Sequence, residues 1–210
     1  MTILVITTGG TIGALAVDNP QNPPKIKTMP QNGRDFVCEA LSELFADLKT
    51  RCLSLEPHDS QLIDEPYRNQ LAKIIEEALE ESILITHGTD TILKTADFLY
   101  WKFKANPTLG KKAVILTGAM VPLANGEQSD GYLNLAFSLN QLTQSGALAG
   151  IHIVLCDFEF PETESGAWKP RLYPYAPGKY EKKTHASDAR YSRLISLPEN
   201  RPICLNRTGS

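Results

Sequence analysis

Five short apolar runs, each separated from the next by a stretch of helical periodicity, constrain this chain more than any other feature. They cover residues 2–7, 52–55, 83–86, 113–117 and 151–156. Most are continuous rather than alternating, as strands buried on both faces must be, and such strands belong to parallel sheets with helical crossovers. Between them the apolar positions return with the helical period. Residues 35–49 carry Phe36, Val37, Ala40, Leu41, Leu44, Phe45 and Leu48 behind a capping Asp35. Residues 67–81 carry Leu71, Ile74, Ile75, Ala78 and Leu79 behind Asp64 as N-cap and Pro66 in the first turn. Helices over 91–103 and 131–143 complete a β-α-β-α-β-α-β-α-β order. That order predicts an α/β fold, a doubly wound, mostly parallel sheet with helices on both faces, in the three-layer flavodoxin or Rossmann manner.

A chain of 210 residues suits one such domain and is short for two. We assign residues 1–197 to it and read 198–210 as a loose tail. Residues 13–34 hold Pro20, Pro23, Pro24 and Pro30. A loop of that length is usually a lid or a binding loop, so a mobile active-site loop is expected. Residues 158–183 are rich in Pro, Tyr, Trp, Glu and Lys without clear period and read as an extended arm. One more edge strand is expected over 193–197.

Several partner classes are disfavoured. A net charge of -3 without a basic block argues against nucleic acid. Lys102, Lys104, Lys111 and Lys112 flank Asn106-Pro107 and read as a solvated helix end. No run approaches the ~20 apolar residues of a membrane span. The opening strand starts at residue 2 with no secretory pattern before it. Cys38, Cys52, Cys156 and Cys204 are far apart. Cys38 and Cys156 read as small buried hydrophobes, and reduced thiols in a cytoplasmic protein are the expectation. His58, His87, His152 and His185 lack metal spacing, so neither a metal nor an organic cofactor is expected.

The ends of the strands carry the chemistry. Thr8-Gly9-Gly10-Thr11-Ile12 puts an alcohol and bare backbone N–H groups where open α/β sheets bind ligands. It is neither a Walker loop nor a G-x-G-x-x-G turn, and taken alone it could be an anion cradle or a cap. Asp59-Ser60-Gln61 follows the second strand and offers donors to an amino-acid carboxylate. His87-Gly88-Thr89-Asp90-Thr91 follows the third; Asp90 or Thr91 could merely cap the next helix, and His87 is read as structural. Two threonines on two strand ends, one beside a carboxylate, suggest acyl transfer, provided a base takes the hydroxyl proton.

Taken with Leu116-Thr117-Gly118-Ala119-Met120 and Ser129-Asp130-Gly131 with Asn134-Leu135, these motifs resemble the amino-terminal domain of the bacterial-type L-asparaginase family. The likeness runs over residues 2–156, with a weaker continuation at Lys183-Thr184-His185-Ala186-Ser187-Asp188. It implies hydrolysis of L-asparagine, with L-glutamine as second candidate, to the acid and ammonia through a threonine acyl-enzyme. Thr11 would be the nucleophile and Thr89 the second hydroxyl. Lys183 would keep Thr89 basic, with Asp90 as neighbour and Lys182 as the competing lysine. Gly10, Ser60, Gln61, Gly88, Thr89, Asp90 and Ala119 would bind substrate, Asp90 receiving the α-ammonium group.

The sequence departs from that family in three respects, one being that the arm over 158–183 is longer than the family's usual hairpin before its lysine. The loop over 13–34 lacks the family's tyrosine, for which Tyr173, Tyr175 or Tyr180 are the candidates. The sequence ends near where the family's smaller carboxy-terminal domain is expected, so we read a short member without it and expect weak substrate affinity. The alternatives are a non-catalytic amino-acid-binding module and an ammonia-producing domain of a larger amidotransferase. A homodimer is expected by analogy, its contact either in the arm, with Trp168, Tyr173, Tyr175 and Tyr180, or elsewhere if those rings fold back on their own domain.

Overall fold

In the computed structural model the described residues are 1–14, 36–107, 109–144, 148–159, 167–184 and 192–196. Five parallel strands come first in the chain: β1 (Ile3–Gly9), β2 (Thr50–His58), β3 (Ser82–Thr86), β4 (Ala113–Thr117) and β5 (Gly150–Glu159). They alternate with helices α1 (Phe36–Leu44), α2 (Glu65–Glu77), α3 (Ile92–Ala105) and α4 (Asp130–Thr143). A sixth strand, β6 (Ala167–Pro174), runs antiparallel to β5, and the sheet order is β2-β1-β3-β4-β5-β6. The expected mostly parallel, helix-covered sheet is what the chain forms.

The continuity of the apolar runs has a direct cause in this layering. Leu4 and Ile6 of β1 face a core built with Leu71 and Ile75 of α2 and Ile92 and Leu99 of α3. Ile3 and Val5 point the other way, to Val37 and Leu41 of α1 and Leu135 and Leu139 of α4. With both faces covered, the strand is apolar without a break from Ile3 to Ile6. Each of these buried aliphatic side chains contributes about 1.5–3 kcal/mol.

The helix ends follow local chemistry where a cap exists. The Asp64 carboxylate accepts the Tyr67 N–H at 2.9 Å, with a proline in the first turn, as expected. At its other end α2 stops at Glu77, short of the expected 81, and Leu79 is 96% exposed rather than inward. The buried Lys112 ammonium donates to the carbonyls of Ala78 and Glu80, which stabilises the chain as it leaves the helix. Likewise α1 ends at Leu44, and Phe45 and Leu48 reach the core from the turn beyond it.

Three expectations are redirected. Residues 167–174, read within an arm, form the edge strand β6; Pro170 and Pro174 disguised it, yet an edge strand tolerates proline. Tyr173 and Tyr175 pack back onto the domain's own core. The strand expected near 193–197 is β8 (Ser192–Ser196), which pairs with β7 (Tyr180–Thr184) in a separate two-stranded ribbon. Cys38 is not an isolated buried thiol: α1 lies over β2, and Cys38 is joined to Cys52 with their Cα atoms 6.1 Å apart. Cys156 is buried, as expected, and takes no part in the disulfide. Asp35, residues 15–34 of the expected loop and the tail over 198–210 lie outside the described residues. Among the described residues no helix is long and apolar enough to cross a membrane.

Candidate active site

In the β2-β1-β3-β4-β5 order the connections from β1 and β3 leave in opposite directions, which opens a crevice at the carboxyl ends of these strands. The residues singled out at strand ends meet there. Gly10 has φ 80°, and a Cβ at this position would lie 2.5 Å from the Gly88 nitrogen. Only glycine allows both that conformation and that approach. Gly88 is pressed in turn against Ser60, whose Oγ would stand 2.7 Å from an added Cβ. The turns after β1, β3 and β2 therefore abut backbone to side chain. The Thr8 hydroxyl donates to the Thr86 carbonyl at 2.8 Å and the Gly10 N–H to the His58 carbonyl at 3.2 Å, closing the same corner.

Thr11 opens a short 3-10 turn, Thr11–Gly13, and is half-buried at the crevice. Ser60 opens another, Ser60–Leu62, whose Asp59 carboxylate accepts the Gln61 N–H at 2.9 Å. The Gln61 amide donates to Asp90 at 3.2 Å, so Gln61 and Asp90 form one polar edge. Thr89 is 7% exposed and its hydroxyl points to the Met120 sulfur at 3.6 Å. Thioether sulfur is a weak acceptor and no base.

Ala119 is buried in the turn after β4. That turn is held by the amino end of α4. The Asp130 carboxylate accepts the N–H groups of Met120 and Val121, the Ser129 hydroxyl donates to the Val121 carbonyl, and the Asn134 amide donates to the Gly118 carbonyl. Burial pushes the Asp130 carboxyl above its ordinary pKa, and the backbone N–H groups oppose that shift.

His87 is fully buried, its Nδ1 2.8 Å from the Gly88 carbonyl and its Nε2 2.9 Å from the Thr95 hydroxyl. Arg68 donates to the same hydroxyl. One assignment satisfies all three contacts: Nδ1–H donates, Nε2 accepts and the imidazole is neutral. Burial lowers its pKa to about 4, which agrees. His87 shapes the turn and, as read from sequence, is no base for Thr11.

The lysine and tyrosine candidates come from the chain beyond β5. Lys183 lies on β7 opposite Arg193, and the side chains over 182–184 are outside the described residues, as is any choice between Lys182 and Lys183. The tyrosine candidates are elsewhere. Tyr175 donates to Asp97 of α3 at 3.1 Å, and Tyr173 opposes Ile153 and packs edge-on against Tyr180. Ile153 is in register with Leu116, Ile85 and Ile6 across the sheet, so Tyr173 on β6 stands four strands away from β1, the strand that leads to Thr11. Sequence reading also missed the Met120 contact and the cross-strand reach of Thr91, because neither partner is near in sequence. Among the described residues no cluster could hold a metal ion.

The family model for the amino-terminal domain of asparaginase matches residues 2–189. The probable periplasmic L-asparaginase of Haemophilus influenzae is 32% identical over 135 residues, which is 63% of this chain and 36% of that protein. L-asparaginase I from Vibrio cholerae superposes with a TM-score of 0.64 at 23% identity, covering 94% of this chain and 52% of that one. A probable cytoplasmic L-asparaginase from Campylobacter jejuni gives 0.53 at 24%, covering 75% and 44%. At such identities the structural likeness speaks for the fold. The chain spans about half, or less, of the length of these relatives.

Proposed function

This chain belongs to the asparaginase family, matching its amino-terminal domain, and from that premise we propose that it hydrolyses L-asparagine to L-aspartate and ammonia through a threonine acyl-enzyme. The convergence of Thr11, Ser60, Thr89 and Asp90 at one crevice, forced by the contacts of Gly10 and Gly88, carries the reading. Thr11 attacks the side-chain amide carbon, its hydroxyl proton passes to the amide nitrogen, and the C–N bond breaks to release ammonia. Backbone N–H groups around Gly88 and Thr89 face the developing oxyanion, where preorganised donors lower the barrier most. Ser60 and Gln61 take the α-carboxylate and Asp90 the α-ammonium group. Thr89 then prepares the water that releases aspartate.

A hydroxyl is a poor nucleophile until its proton is taken, and the sulfur beside Thr89 cannot take it. Lys183 is the base we propose for that step, with its pKa depressed by desolvation. Weak binding of substrate is part of this reading, and a high KM for L-asparagine is its sign. No cofactor takes part. A second copy of the chain completing the crevice would make activity per chain rise with concentration; full activity from a monomer in light scattering excludes it. A cytoplasmic location, our expectation from sequence, would keep Cys38 and Cys52 as thiols, and an oxidising one would keep their bond. Alkylation and peptide mapping of protein taken directly from cells decide between them.

The test is ammonia release from L-asparagine by the purified chain beside Thr11→Ala and Thr89→Val. Release that each variant lowers by at least about a thousandfold supports the reading. No release at any substrate concentration, with aspartate still bound, moves the chain to the amino-acid-binding class.

A further inference from the structure

We propose that Thr91 is the positioning residue that holds the Ser60–Gln61 turn against Asp90 and so sets how tightly the site grips an amino-acid substrate; this rests on the amidohydrolase reading above. Thr91 immediately precedes α3, where a threonine hydroxyl ordinarily accepts an N–H of the first helical turn. Here it makes no such bond. Its hydroxyl instead crosses to the Ser60 carbonyl at 2.6 Å, between residues 31 apart in sequence. Thr91 is 7% exposed and Ser60 3%. Two further side-chain ties on the turn, the Gln61 N–H to the Asp59 carboxylate and the Gln61 amide to Asp90, are exposed to solvent. Of these three side-chain ties the Thr91 bond is the buried one, and it joins the carboxylate-binding turn to the strand end that carries Thr89 and Asp90.

A turn that slips weakens substrate in the ground state and transition state alike, which appears in KM and spares kcat. Thr91→Val, which keeps shape and removes the hydroxyl, is expected to raise KM for L-asparagine and the dissociation constant for L-aspartate by about tenfold each, with kcat within about twofold. Thr91→Ser restores both. Hydrogen exchange supplies a reading independent of activity. In Thr91→Val the Leu62 and Ile63 amides, bonded to Asp59 and Ser60, exchange faster while the Thr95 amide is unchanged. Unchanged Leu62 and Ile63 exchange, or loosening confined to α3, overturns the proposal. Faster exchange at the turn in a chain that neither binds nor hydrolyses an amino acid retains the positioning role and overturns the functional reading instead.

Discussion

Gly88 shows how little room the crevice leaves at the scale of single residues. Gly88→Ala would set a Cβ 2.6 Å from that of Ser60, so the Ser60 turn must move. We expect a loss of about 1–3 kcal/mol in stability and a raised KM, read by denaturant titration and steady-state kinetics; a variant indistinguishable from wild type would show that the turns are not in contact. His87 gives a pH signature. Its folded pKa is near 4 and its ordinary value 6.5, so between these the unfolded chain binds the extra proton. The stability this residue contributes is full above pH 6.5 and is lost as the pH falls towards 4, up to about 3 kcal/mol. His87→Gln should flatten that part of the stability curve relative to wild type; parallel curves for the two proteins would mean that His87 is not buried neutral. The threonines and Ser60 were legible from sequence because glycines and hydroxyls mark strand ends. The target of the Thr91 hydroxyl was not, since its alternative, a helix cap, is the commoner fate of that residue type.

Among the elements, β1 and β3 were legible to within two residues because burial on both faces leaves an unbroken apolar run. β6 was not, because an edge strand needs neither continuity nor a full set of N–H donors, and its two prolines read as loop. Leu79 continued the helical period of α2 beyond the point where Lys112 captures the backbone. The Cys38–Cys52 bond is the element-scale feature that spacing alone could not reveal: it depends on α1 lying over β2. It closes a loop of 14 residues, worth about 3 kcal/mol by loop entropy. Reduction, or Cys38→Ser, should lower stability by about that amount while α2 and α3 keep their protection from hydrogen exchange. Equal denaturation midpoints with and without reductant would show that the pair is not bonded in solution.

For the whole molecule, one topological fact organises the rest. The sheet reverses its winding between β1 and β3, and the three motifs that stood out in the sequence follow β1 and the strands that flank it. The β-α order made the sheet foreseeable, whereas the position of Lys183 was beyond reach, because the ribbon β7–β8 has no periodic signal that ties it to the sheet. The central claim is that Thr11 carries the acyl group between ammonia release and hydrolysis. Hydroxylamine, added as a competing acceptor, tests it most directly. We predict β-aspartyl hydroxamate beside aspartate in one fixed ratio, whether the substrate is L-asparagine or a β-aspartyl anilide, and neither product from Thr11→Ala. A ratio that changes with the leaving group, or turnover that survives Thr11→Ala, would contradict the account.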